Sequence, residues 1–150
     1  MTHISEIIDM FMMLTVDYKL KKLFSIGEQV LNNYVEAWLI LAIVDFNQVR
    51  PESLVYNKDT QTFSTILANE DITILARLMV RYWLEKEVND VLAFENTLQD
   101  HDFKTYSQAQ NLDSKRNLLN HQIEETDKVL SRYTYRSNDW TSWFNQSFAG

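Results

Sequence analysis

NEDITILARLMVRYWLEKEVND, residues 69–90, decides the fold. Ile72, Leu75, Ala76, Met79, Val80 and Trp83 recur at steps of three and four, and Val91 and Leu92 continue the series. That period makes one apolar stripe along an α-helix. Thr73, Arg77, Arg81 and Glu85 form the opposite face. Asn69 reads as the N-cap, and Glu70 and Asp71 place negative charge in the first turn, where the helix dipole favours it. The pattern carries to about Leu98, a rod of roughly 40 Å at 1.5 Å per residue. A helix this long with a broad apolar stripe needs other helices to cover it.

The flanking segments supply them. Downstream, QDHDFKTY interrupts the pattern, and Ser107-x-x-Gln110 has the arrangement of a capping box. A helix over about 108–133 follows with a thin stripe of Leu112, Leu119, Ile123, Val129, Leu130 and Tyr133. Such a helix packs along a single seam or stands mostly in solvent. Upstream, Leu54–Leu67 holds two β-favouring stretches around Asn57, Lys58, Asp59 and Thr60, which have turn composition and predict a hairpin. Ser25-x-x-Glu28 predicts the start of a helix that runs to about Phe46, with Pro51 beyond its end. Within it AWLILAIV, residues 37–44, reads as buried on several sides and is far shorter than the ~20 residues of a membrane span. Ile4–Leu14 is a short apolar helix, and 16–24 is ambiguous.

The expected fold is therefore mostly α: a small helical bundle with two long helices, a short β-hairpin insertion and an extended C-terminal tail. Residues 1–133 form one domain and 134–150 an arm. Composition agrees. The 150 residues contain Gly twice and Pro once, too few for a turn-rich all-β design. A net charge of −7 disfavours gripping nucleic acid by charge. With no cysteine, disulfides and thiolate metal sites are excluded. The opening MTHISEIIDM has acids where a secretory leader has positive charge.

Signs of catalysis are absent from the pattern. His3, His101 and His121 each stand alone, and Leu118 occupies the position that a di-iron Glu-x-x-His pair would need. Two distant glycines cannot build a phosphate loop. Glu124, Glu125 and Asp127 read as a solvated face. The expectation is no enzyme, no catalytic residue, no metal and no cofactor.

SNDWTSWFNQSFAG, residues 137–150, carries the functional signal. Trp140, Trp143, Phe144 and Phe148, with Tyr135 before them, sit among small polar residues. Aromatic anchors in pockets carry much of the energy of an interface. These residues are the expected partner-binding set. Either they fill pockets on another chain or they fold back on their own domain.

The long acid-capped helix, DFKTYSQAQNL, the helix ending in RYTYR and the aromatic tail together resemble the head-to-tail connector (adaptor) proteins of tailed bacteriophages. The resemblance covers roughly residues 45–150. It implies a structural virion protein located at the neck and assembled in the host cytoplasm. Subunits form a ring, usually of twelve, beneath the portal protein and continue the DNA channel without binding DNA specifically. The arm grips a neighbouring ring, a further neck or tail protein is a partner, and no membrane is involved. The loop at Asn57–Thr60 projects into the lumen or toward the next ring. Two alternatives stand beside this reading: a cellular helical regulatory or binding module whose tail is a recognition peptide, and another neck or tail-completion protein.

Overall fold

The computed structural model describes residues 1–15, 17–97 and 105–137, with side chains over 93–111 and at Ser137 left aside. Five helices and one hairpin follow in the order α1 (Ile4–Leu14), α2 (Tyr18–Ile26), α3 (Glu28–Asn47), β1 (Tyr56–Asn57), β2 (Thr62–Phe63), α4 (Asn69–Thr97) and α5 (Thr105–Ser137). The fold is mostly helical, with two long helices and a small antiparallel hairpin, as the sequence predicts.

α4 is the shared wall. Ile72, Ile74, Leu75, Ala76, Leu78, Met79, Val80, Trp83 and Leu84 are all buried. These positions run round the helix rather than along one stripe, because α1, α3 and α5 all pack on it. Burying each large side chain contributes roughly 1.5–3 kcal/mol, so the first four turns dominate the core. α1 adds Ile4, Ile7, Ile8 and Phe11 at helical spacing, with the Phe11 ring edge-on to Trp83 at 6.4 Å. α3 adds Leu31, Val35, Trp38, Leu39, Ala42, Ile43 and Phe46.

Several helix starts differ from the sequence reading. Ser25 lies inside α2, and its hydroxyl donates to the Lys22 carbonyl rather than capping α3. The ambiguous segment becomes helical because the Asp17 carboxylate caps it, accepting from the Leu20 N–H at 3.1 Å. Gly27 ends α2 and its carbonyl accepts from Val30 and Leu31, so α3 starts at Glu28. Asn69 is the first helical residue of α4 rather than its cap. Ala68 occupies the cap position, its carbonyl accepting from Ile72 while the Asp71 carboxylate accepts from its N–H at 3.4 Å. α5 begins at Thr105, so Ser107 lies within it rather than starting it. It also runs to Ser137, past the expected end at Tyr133, so Thr134 and Tyr135 are helical rather than part of an arm.

α5 lies antiparallel along α4. Lys115 pairs with Glu87 at 3.3 Å, Arg81 with Asp127 at 3.5 Å, and Arg136 with Glu70. The exposed Arg136–Glu70 pair contributes only about 0.2–1 kcal/mol, and all three pairs mark the register of α5 on α4. The buried Leu112 and Thr126, together with Leu119, Val129, Leu130 and Tyr133, make the seam.

The hairpin is tied to the N-terminus. Tyr56 pairs with Phe63 and Asn57 with Thr62. On the free side of β2, Phe63 N–H donates to the Thr2 carbonyl at 2.8 Å and Ile4 N–H to the Gln61 carbonyl at 2.9 Å. The Thr2 hydroxyl accepts from Leu67 N–H at 2.8 Å. The N-terminal residues thus supply the third strand-like partner that a marginal two-stranded hairpin needs. Asn47 clamps the entry to the hairpin: its side chain accepts from Leu54 N–H at 2.7 Å and donates to the Leu54 carbonyl.

Two substitutions test this framework. Arg50 and Asp71 are only 16% and 12% exposed at their side chains and pair at 2.8 Å, joining the end of α3 to the start of α4. Asp71→Ala leaves a buried guanidinium and removes the Ala68 contact, so urea denaturation is expected to show a loss of about 3 kcal/mol. Gln61 holds φ at 54°. Gln61→Val places a β-branched side chain in the left-handed region and is expected to lower stability by about 1–2 kcal/mol in the same assay, whereas Gln61→Gly loses far less.

Candidate interaction surface

The loop at the hairpin tip is built by its first residue. The Asn57 side-chain oxygen accepts from the N–H groups of Asp59 and Thr60 at 2.9 and 3.2 Å. Asn57, Lys58, Asp59 and Thr60 are all exposed. The base of the loop is lashed to α3, where Gln29 donates to the Gln61 side-chain oxygen at 3.2 Å and Gln61 donates to Asn33 at 3.4 Å. The loop therefore lies over the first half of α3, beside a polar hollow that also includes His3 and Glu36.

Of the five aromatic residues expected to bind a partner, only Tyr135 falls among the described residues. It sits on the last turns of α5 and is 69% exposed. Trp140, Trp143, Phe144 and Phe148 lie outside the described residues.

Other apolar surface does reach solvent. On α3, Val30, Ile40, Leu41 and Val44 are exposed, Val44 by 56%. The reading of residues 37–44 as buried on several sides therefore holds for the inner residues and not for this outer face. Trp38, Leu39, Ala42 and Ile43 are buried against α1, α2 and α4, but no described element covers the outer face. A continuous apolar run does not say which face has a neighbour, so sequence alone gave no signal here. A second set of exposed apolar residues, Met13, Leu14, Tyr18, Phe24 and Ile26, lies at the end of α1 and on α2.

Sequence reasoning also missed a cavity of about 270 Å³ between these elements. Ile8, Met12, Met13, Phe24 and Leu31 make its apolar wall, together with Asn32. Asp9 and Glu28 also line it and are exposed. Asn32 is 2% exposed, and its Oδ1 has no hydrogen-bond partner. A buried orphan acceptor is unusual in a folded chain. Asn at an inward position of α3 is the signal that a pattern search could have noticed.

The two most perturbed groups are phenols. The Tyr56 hydroxyl donates to Glu36 at 2.8 Å; burial first, and that bond second, push its pKa well above the ordinary value. Tyr82 donates to Asp45, and burial followed by this bond pushes it up to about 12. Both phenols stay protonated at neutral pH and join α3 to its neighbours, a structural role. Among the described residues no group of three or more His, Cys, Asp or Glu side chains can hold a metal ion. Among them, too, no helix is long and apolar enough to cross a membrane. No family model, curated protein or solved structure matches the chain.

The raised phenol has a pH consequence. Tyr82 has a folded pKa of about 12 against an ordinary 10, so its contribution is fully present below pH 10 and lost as pH rises through 12. Urea midpoints are expected to fall between pH 9 and pH 11. In Tyr82→Phe the fall is shallower, because one of the phenols that resist ionisation is gone.

Proposed function

We propose that this chain is a structural, ring-forming subunit of the head-to-tail adaptor type in a phage neck. In that role it docks on the portal, continues the DNA channel and engages a neighbouring ring through its C-terminal segment. The observation that carries the reading is the uncovered apolar face of α3, where Ile40, Leu41 and Val44 are exposed in a single copy. Repetition of one subunit around a ring covers such a face on every copy through a head-to-tail contact.

Three further features support it. The net charge of −7 suits a channel along which DNA slides without being gripped. The aromatic residues after Ser137 suit anchoring in a partner's pockets. The Arg50–Asp71 ion pair and the phenol bonds are structural links that hold α3 against its neighbours.

The test separates self-association from folding. Val44→Asp with Leu41→Asp places charge on the outer face of α3 and leaves its buried face intact. Native mass spectrometry is expected to show a closed oligomer for the wild type and monomer for the double variant, with unchanged helical circular dichroism. Deleting residues 138–150 is expected to keep the helical signal and abolish capture by portal protein. A wild-type chain that remains monomeric with portal protein present contradicts the ring and favours the alternative of a helical binding module.

A further inference from the structure

The cavity between α1, α2 and α3 has a size, a polarity and a missing hydrogen-bond donor that together describe its occupant. Pockets for drug-sized molecules run about 300–1,000 Å³, and this one, about 270 Å³, suits a single large side chain. Its lining is mostly apolar: Ser5, whose hydroxyl is engaged with His3, and the acids Asp9 and Glu28 are polar, and so is Asn32, whose unpartnered oxygen accepts and does not donate. The acids Asp9 and Glu28 along its lining disfavour a guest that brings further acceptors. The matching side chain has a large apolar body, one donor and no acceptor, which describes tryptophan.

The chain has four tryptophans, and Trp38 and Trp83 are already buried in the core. Trp140 and Trp143 remain. We propose that this cavity receives one of these two tryptophans from a second copy of the chain, with the indole N–H donating to Asn32 Oδ1. Met12 and Met13 on the wall are unbranched and adaptable, which lets a ring reach an oxygen that is otherwise closed off.

Reach decides between the same copy and another. The end of α5 lies beside the end of α3, where the Tyr133 ring packs on Phe46 at 5.0 Å. Asn32 is fourteen residues earlier on α3, about 21 Å away along the axis. Trp140 follows Ser137 by three residues, a span of at most ~11 Å, and Trp143 by six, at most ~22 Å when fully straight. α5 runs in the same sense as α3, so Ser137 lies a further four residues, about 6 Å, beyond Tyr133 and away from Asn32; within one copy the backbone falls short at Trp140 and at Trp143. A second copy has no such limit. The inference rests on the ring reading for the presence of that copy, and it leaves Phe144 and Phe148 to engage the neighbouring ring.

The chain has no cysteine, so an engineered pair reports cleanly. Asp9→Cys at the cavity and Ser142→Cys between the two tryptophans are introduced into the full-length chain, which is oxidised and run on non-reducing gels. Covalent dimers and higher species are expected. Trp140→Ala with Trp143→Ala in that background is expected to lower their yield about ten-fold, and Asn32→Leu, which keeps volume and removes the acceptor, to lower it several-fold. A cross-link confined to single chains overturns the second-copy assignment. Equal yields with and without the tryptophans, or no cross-link, overturn the pocket assignment. Native mass spectrometry of the unmodified chain reads the oligomer separately. Rings without the cross-link defeat this inference and leave the ring reading standing, whereas monomers alone defeat both.

Discussion

The burial of α4 around nearly its whole circumference is the constraint on which the rest of the structure depends. Over Ile72–Leu84 it presents apolar side chains around most of its circumference, broken only by the strip of Thr73, Arg77 and Arg81, and one partner helix can cover only one side. Three helices do so. α1 and α3 bring the broad apolar faces, and α5 closes the remaining side along a thinner seam with charged pairs at its edge. The other parts secure that packing. The Arg50–Asp71 pair fixes the end of α3 to the start of α4, and the Tyr82–Asp45 bond joins the same two helices further along. The hairpin bridges α3 and α4 in sequence and is held by the N-terminal residues that lead into α1. α2 is the exception: it packs on α3, buries only Leu20 fully and Leu23 in part, and leaves Tyr18, Phe24 and Ile26 exposed.

Much of this was legible in the sequence because helical period is a local signal. The stripe on residues 72–83, the thin stripe of α5 and the turn chemistry of Asn57–Thr60 each lie within one segment. The misplaced helix starts have a common physical cause. A Ser-x-x-Glu or Ser-x-x-Gln spacing caps a helix only if the preceding residues are not helical. At Ser25 the Asp17 cap had already started α2, and Gly27 supplied the break. The outer face of α3 and the cavity were not legible, because both depend on where other helices stop. AWLILAIV looks the same whether its outer side is covered or bare. The hairpin's pairing with Thr2 and Ile4 joins residues about sixty positions apart, beyond the reach of any local pattern.

The functional picture grows from what the bundle leaves uncovered. A single copy exposes apolar side chains on α3, at the end of α1 and on α2, holds an orphan acceptor beside a mostly apolar cavity and carries four aromatic residues in the sequence after Ser137. The exposed apolar faces and the orphan acceptor are unfavourable in an isolated chain, and the proposed ring covers them with neighbouring copies. Its acidity fits a subunit whose contacts are made by apolar and hydrogen-bonding groups rather than by charge. The phenols and the carboxylates that accept from them have a structural place: they hold α3 at fixed spacing from its neighbours.

Negative-stain electron microscopy of the purified full-length chain at high concentration tests this central claim most directly. The account predicts closed annular particles with a central opening and one rotational symmetry. Uniform compact particles of single-chain size, unchanged as concentration rises, would contradict it.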